Sequence, residues 1–186
     1  MKTLIFVGSP RKTGDTRALL SRVTAQLEGE IVLVDAYRDD IHPCIDCRRC
    51  REQSGCVLRD DMQKVYDLLP ECDNVVIAAP LYFSELPGQL LNVFSRLQCR
   101  YSARRFRGEK QEIKLKRAGI ILVGGGNGGP ENALHTCRDI FRYYMNVKDC
   151  FPPVMSLKTD DLSACEDEAA LAGCDELAQF LNDTNR

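Results

Sequence analysis

The chain has 186 residues, 44% of them hydrophobic, which suffices for one domain with a full core. Its 25 Lys and Arg against 27 Asp and Glu leave a formal charge of −2, which argues against a nucleic-acid binder. No run approaches the ~20 apolar residues of a membrane span. The stretch Leu4–Val7 is too short for a signal and meets Gly, Pro and charges at once, so a cytoplasmic location is expected.

In chain order, "TLIFVG" (3–8) is an unbroken apolar run ending at Gly, as in a strand buried on both faces of a parallel sheet. "DTRALLSRVTAQLEG" (15–29) puts Ala18, Leu19, Val23 and Leu27 on one helical stripe. "EIVLVDA" is a second strand, and after a cysteine-rich segment "DDMQKVYDLLPEC" reads as a helix capped by Asp60 or Asp61. "NVVIAAP" (74–80) is the third strand. A helix follows over 87–100, opened by Pro and Gly. Residues 100–117 carry eight Lys or Arg against two Glu, and read either as a solvated excursion or as a basic surface for an anionic nucleotide or an acidic redox partner. "RAGIILVGGG" (117–126) is the fourth strand, and 131–146 a helix. "VKDCFPPVMSL" holds an edge-like fifth strand, because its two prolines cannot donate to a central ladder. Residues 162–183 form a closing helix.

This alternation predicts one doubly wound α/β domain over 1–186, a three-layer α/β/α sandwich with a five-stranded parallel sheet and a cysteine-rich insertion at about 42–57, and the flavodoxin-like order 2-1-3-4-5 is the arrangement expected for it. Strands one, three and four then lie side by side, and the loops at their carboxyl ends, "GSPRKTGDT", "APLYFSELPG" and "GGGNGGPE", converge on one crevice. The first offers the hydroxyls of Ser9, Thr13 and Thr16, the charges of Arg11 and Lys12 and the free N–H groups of a helix start, as a phosphate needs. It matches neither GxGxxG nor a Walker loop. In the second, Pro80, Leu81, Tyr82 and Phe83 make an apolar and aromatic lip for a planar ring. The third is glycine-rich, so backbone can approach a flat ligand at Gly125 and Gly126, with the Asn127 amide beside them. Each loop also has a plain structural reading: a capped strand–helix turn, a lid on the core, a flexible turn. Together they describe a mononucleotide site, with flavin mononucleotide (FMN) as the natural occupant.

"GSPRKTGDT", "AAPLYFSELPGQLLNVFSR" and "GGGNGG" resemble the motifs of the NAD(P)H-dependent FMN reductase branch of the flavodoxin-like superfamily, over about residues 1–150. The resemblance implies a flavodoxin-like fold, non-covalent FMN, NAD(P)H as donor and assembly as a homodimer or homotetramer. It places Ser9, Arg11, Asp15 and Thr16 at the phosphate, Pro80, Leu81, Tyr82 and Phe83 along the isoalloxazine, and Gly125, Gly126 and Asn127 at its edge. The family often has Asn where this chain has Asp15. A carboxylate repels a phosphate unless it points away.

Four of the ten cysteines, Cys44, Cys47, Cys50 and Cys56, fall within thirteen residues as C-x2-C-x2-C-x5-C. Four thiolates are the usual ligand set of a [4Fe–4S] cluster, whereas zinc usually takes separated pairs. The segment also resembles that of the iron–sulfur flavoproteins of the same family. That resemblance implies a cluster passing electrons between a ferredoxin-like partner and FMN. Cluster, zinc and metal-free readings all stay open. Arg48, Arg49 and Arg51 would offset the charge of thiolates in any of them. Cys72, Cys99, Cys137, Cys150, Cys165 and Cys174 stand singly and read as core or surface thiols, and His42 and His135 as structural or surface histidines. The flavin would carry the chemistry, so no catalytic side chain is assigned. The expected function is an FMN-dependent NAD(P)H oxidoreductase acting on a quinone or free flavin. The alternatives are an iron–sulfur flavoprotein working with a ferredoxin-like carrier and a thiol-based redox sensor.

Overall fold

The computed structural model describes residues 1–110 and 113–183. Residues 111 and 112 of the basic segment lie outside this range. Parallel strands β1 (Lys2–Val7), β2 (Glu30–Asp35), β3 (Asn74–Pro80), β4 (Lys116–Gly124) and β5 (Val147–Cys150) form a sheet in the order 2-1-3-4-5. Alternation within the apolar runs sorts side chains to the two faces. Leu4, Phe6, Val75, Ile77, Ile120 and Leu122 pack on one side against α2 (Met62–Leu68), α3 (Gly88–Ser95) and α5 (Glu131–Ile140). Ile5, Val7, Val76, Ala78 and Ile121 pack on the other against α1 (Asp15–Thr24) and α6 (Glu168–Asn182). The expected three layers are present. Among the described residues, no helix is long and apolar enough to cross a membrane.

The expected single edge strand is two. β5 pairs with Lys116–Ala118 and β6 (Val154–Leu157) with Ile121–Gly124, both along β4. Pro152 and Pro153 fall between them, where the missing N–H groups break the ladder. This split carries residues 158–161 back over the carboxyl end of the sheet: the Thr159 amide donates to the Gly124 carbonyl (3.0 Å) and that of Asp160 to the Gly125 carbonyl (3.2 Å).

The helix expected over 87–100 also divides. α3 ends at Ser95, and α4 (Gln98–Arg107) runs through the first part of the segment read as an excursion. Arginine is a good helix former, and Gly108 at φ 64° closes α4. α4 packs on a short turn, Arg49–Arg51, in the cysteine segment, with the Arg51 guanidinium 4.6 Å above the Phe106 ring. Four other helix boundaries shift. α1 stops at Thr24, and α2 starts at Met62, whose amide donates to Asp60. α5 passes into a π turn over Phe141–Met145. α6 begins only at Glu168, where Asp167 caps it by accepting the Ala170 amide (3.0 Å).

Candidate functional site

The ends of β1, β3 and β4 enclose a cleft of about 160 Å³, lined by Ser9, Pro10, Arg11, Gly14, Asp15, Thr16, Pro80, Leu81, Tyr82, Val123, Gly125, Thr159 and Asp160. Three loops far apart in sequence thus meet as the strand order requires. α1 starts at the cleft with no side-chain cap on its first turn. Gly14 there has φ 132°, a conformation that glycine adopts without strain. The free N–H groups and the positive helix end make this an anion site, with Ser9 and Thr16 buried beside it and the exposed Arg11 at its rim.

Asp15 lines the cleft, but its carboxylate is engaged elsewhere. Oδ1 accepts from the Ser163 hydroxyl (2.9 Å) and the Ala164 amide (2.8 Å), tying α1 to the turn before α6. Lys12 and Thr13 are exposed and are not among the residues lining the cleft.

The apolar end of the cleft is Pro80, Leu81, Tyr82 and Val123. Phe83 is fully exposed and outside it. The chain turns sharply between Tyr82 and Glu85, which exchange backbone hydrogen bonds (2.9 and 3.0 Å), with Phe83 and Ser84 in the left-handed region at φ 55° and 62°. Left-handed backbone is costly for side-chain-bearing residues, by roughly 1 kcal/mol each. Glu85 pins the turn, accepting from the Leu86 amide (2.7 Å) and the Thr136 hydroxyl (3.0 Å). Of the third loop, Gly125 lines the cleft, whereas Gly126 and Asn127 are exposed and off it.

Thr159 and Asp160 had no sequence signal of their own. They follow the split edge strand, and only the observed pairing of β6 with the end of β4 brings them in. Asp160 adds a carboxylate so close to Gly125 that a Cβ there would stand 2.8 Å from Oδ1.

A second cavity, of about 340 Å³, shares no lining residue with the first. Cys44, Cys47, Cys50 and Cys56 all line it, with Arg48, Arg51, Arg96 and Phe106. So does Cys99 of α4, whose thiol burial pushes up to about 11. The loop is fastened at both ends. The Cys44 amide donates to Ser95 Oγ (2.9 Å), and Arg107 donates to the Cys50 carbonyl. Arg96 is the deepest group. Its Nη1 donates to the His42 carbonyl (2.8 Å) and to Asp60 Oδ2 (2.5 Å). Burial alone would raise the Asp60 carboxyl; the bonds from Arg96 and the His42 amide outweigh it and hold the group below its usual range. Among the described residues, no three His, Cys, Asp or Glu side chains are gathered tightly enough to hold one metal ion.

Comparison with known proteins agrees with this geometry. The model of the family "NADPH-dependent FMN reductase" matches residues 1–160. The chain belongs to that family. An iron–sulfur flavoprotein of Methanosarcina thermophila is 30% identical over 143 residues, covering 75% of this chain and 72% of the relative. Two solved structures share the fold. An NAD(P)H:quinone oxidoreductase from Methanothermobacter marburgensis superposes with a TM-score of 0.72 at 18% identity, covering 100% of this chain and 99% of that one. An FMN-dependent NADH-azoreductase from Bacillus anthracis, in complex with FMN, gives 0.64 at 18% identity, covering 98% and 100%.

Proposed function

We propose that the cleft at the ends of β1, β3 and β4 is where this family member holds FMN, and that the chain is an NAD(P)H-dependent FMN oxidoreductase. The observation carrying this is the uncapped start of α1 opening into a cleft whose other end is apolar and aromatic. The residues fit the group. The first-turn amides of α1, Ser9, Thr16 and Arg11 would take the phosphate, and Pro80, Leu81, Tyr82 and the Gly125 backbone would flank the ring. Asp160 would accept from a ligand N–H or O–H. When bound, FMN supplies the redox chemistry, taking two electrons and a proton from NAD(P)H as hydride and passing electrons on to a quinone-type acceptor. The protein's part is to orient the ring and to place the phosphate on fixed donors.

A second reading adds a [4Fe–4S] cluster on Cys44, Cys47, Cys50 and Cys56, exchanging single electrons with a ferredoxin-like carrier. It is favoured by the four thiols of one compact motif lining one cavity.

Anaerobic purification with quantification of FMN, iron and labile sulfide tests both. Stoichiometric FMN that is bleached by NADPH or NADH is expected for the first reading, and protein without FMN affinity overturns it. Iron and sulfide in the ratio of one cluster per chain are expected for the second. Their absence after anaerobic reconstitution overturns it and leaves the first standing.

A further inference from the structure

Arg96 occupies an unusual position. It lies at the junction of α3 and α4, and its side chain is 0% exposed. Burying a guanidinium is costly unless its charge is paired and its N–H groups are met. The charge is met by Asp60, whose side chain is 4% exposed. The donors are met only in part. Nη1 serves the His42 carbonyl and Asp60, whereas Nε and Nη2 are buried with no hydrogen-bond partner among the described residues. Asp60 also accepts the His42 amide (3.1 Å) and the Met62 amide (3.2 Å).

Arg96 also lines the cavity walled by the four motif cysteines. Asp46 is the one carboxylate among the lining residues, and it pairs with Arg48 at 3.4 Å. A buried guanidinium with open donors at the wall of a cavity lined by four thiols calls for an occupant rich in acceptors and negative charge. Sulfur held by thiolates has both.

We propose that Arg96 is a positioning residue for a thiolate-held iron–sulfur group in this cavity, supplying N–H donors and positive charge toward its sulfurs and thereby raising its reduction potential. The inference rests on the cluster reading above. Donors to sulfur stabilise the more negative, reduced state, so their loss makes reduction harder.

The test uses the full chain, loaded with FMN and reconstituted anaerobically with iron and sulfide, in wild-type form and as the Arg96→Lys and Asp60→Asn/Arg96→Gln variants. The double variant removes both charges of the pair, so no unpaired Asp60 is left buried, and Arg96→Lys covers the case in which it fails to fold. FMN content reports folding, and a redox titration followed by electron paramagnetic resonance gives the midpoint potential. The expected result is full FMN content with a more negative potential in both variants, larger in the double one, or loss of iron from the variants alone. Variants that match wild type in iron content and potential overturn the role of Arg96 and leave the cluster reading intact. Wild-type protein that takes up no iron or sulfide overturns both.

Discussion

The Asp15 carboxylate accepts the Ala164 amide at 2.8 Å, across 149 positions of sequence. The acid at the start of α1 thereby ties that helix to the turn before α6, on the same face of the sheet. Its Oδ1 is occupied by Ser163 and Ala164, which turns that oxygen away from the α1 amides at the cleft.

Asp15→Asn keeps an acceptor oxygen for Ala164 and removes a negative charge beside the anion site. FMN affinity is expected to hold or rise several-fold. Asp15→Ala leaves the Ala164 amide unmet and should cost about 1–2 kcal/mol of stability. Fluorescence titration with FMN and urea unfolding read the two effects separately. Loss of FMN binding by Asp15→Asn would show that the carboxylate itself holds the ligand.

Gly125→Ala is expected to weaken FMN binding through Asp160. The new Cβ would meet the Asp160 carboxylate at 2.8–2.9 Å and drive that flexible side chain from its place in the cleft. Gly125→Ala/Asp160→Ala removes the clash. If displacement of Asp160 is the cause, the double variant should bind no more weakly than Asp160→Ala alone, whereas additive losses would place the fault in the backbone.

Much of the sheet was readable because its strands are short apolar runs punctuated by Gly and Pro, and their alternation with helices pointed to a doubly wound parallel sheet, of which 2-1-3-4-5 is a common order. What escaped depended on tertiary burial. Arg96 and Arg100 look like surface residues in "SRLQCR", and only their environment shows that they are buried, one paired with Asp60. Cys99 looked solitary because its neighbours in the cavity lie some fifty residues away in sequence. Of the FMN loops, Ser9, Arg11, Asp15, Thr16, Pro80, Leu81, Tyr82 and Gly125 line the cleft, whereas Lys12, Thr13, Phe83, Gly126 and Asn127 do not. For Phe83 the reason is the tight turn at left-handed φ, which the sequence "YFSE", free of Gly and Asn, gives no cause to expect.

Lys116 should make stability depend on alkaline pH. It is buried at the start of β4, where its ammonium donates to the Lys114 carbonyl (2.8 Å), and burial pulls its pKa down to about 8. Between about pH 8 and 10.5 the unfolded chain holds this proton and the folded chain does not, so this group makes stability rise with pH across that window. Lys116→Met removes the penalty. It should stabilise the fold at pH 7 by on the order of 2 kcal/mol, with the advantage over wild type shrinking toward pH 10. Cys72, whose thiol burial raises to about 11 and Lys116 partly lowers, contributes an opposite trend above about pH 9, so the comparison is read between pH 7 and 9. Chemical denaturation at a series of pH values checks this, and a constant difference would contradict it.

Cys99 separates motif from bystander. Its thiol shares the cavity but sits on α4, outside the C-x2-C-x2-C-x5-C motif, so Cys99→Ala should leave iron content after reconstitution unchanged, whereas Cys47→Ser should reduce it several-fold. Equal losses in the two variants would make Cys99 a ligand in its own right.

The central claim is that the cleft between β1, β3 and β4 holds FMN that NAD(P)H reduces. Its most direct test is titration of the flavin-free protein with FMN, followed by anaerobic addition of NADPH or NADH. The account predicts saturable quenching of flavin fluorescence at one FMN per chain, weakened about tenfold in Arg11→Ala by loss of a charged phosphate contact of about 1.4 kcal/mol, and bleaching of the bound flavin by the nicotinamide. A protein that leaves FMN fluorescence unchanged, or whose bound flavin stays oxidised with both nicotinamides, would contradict it.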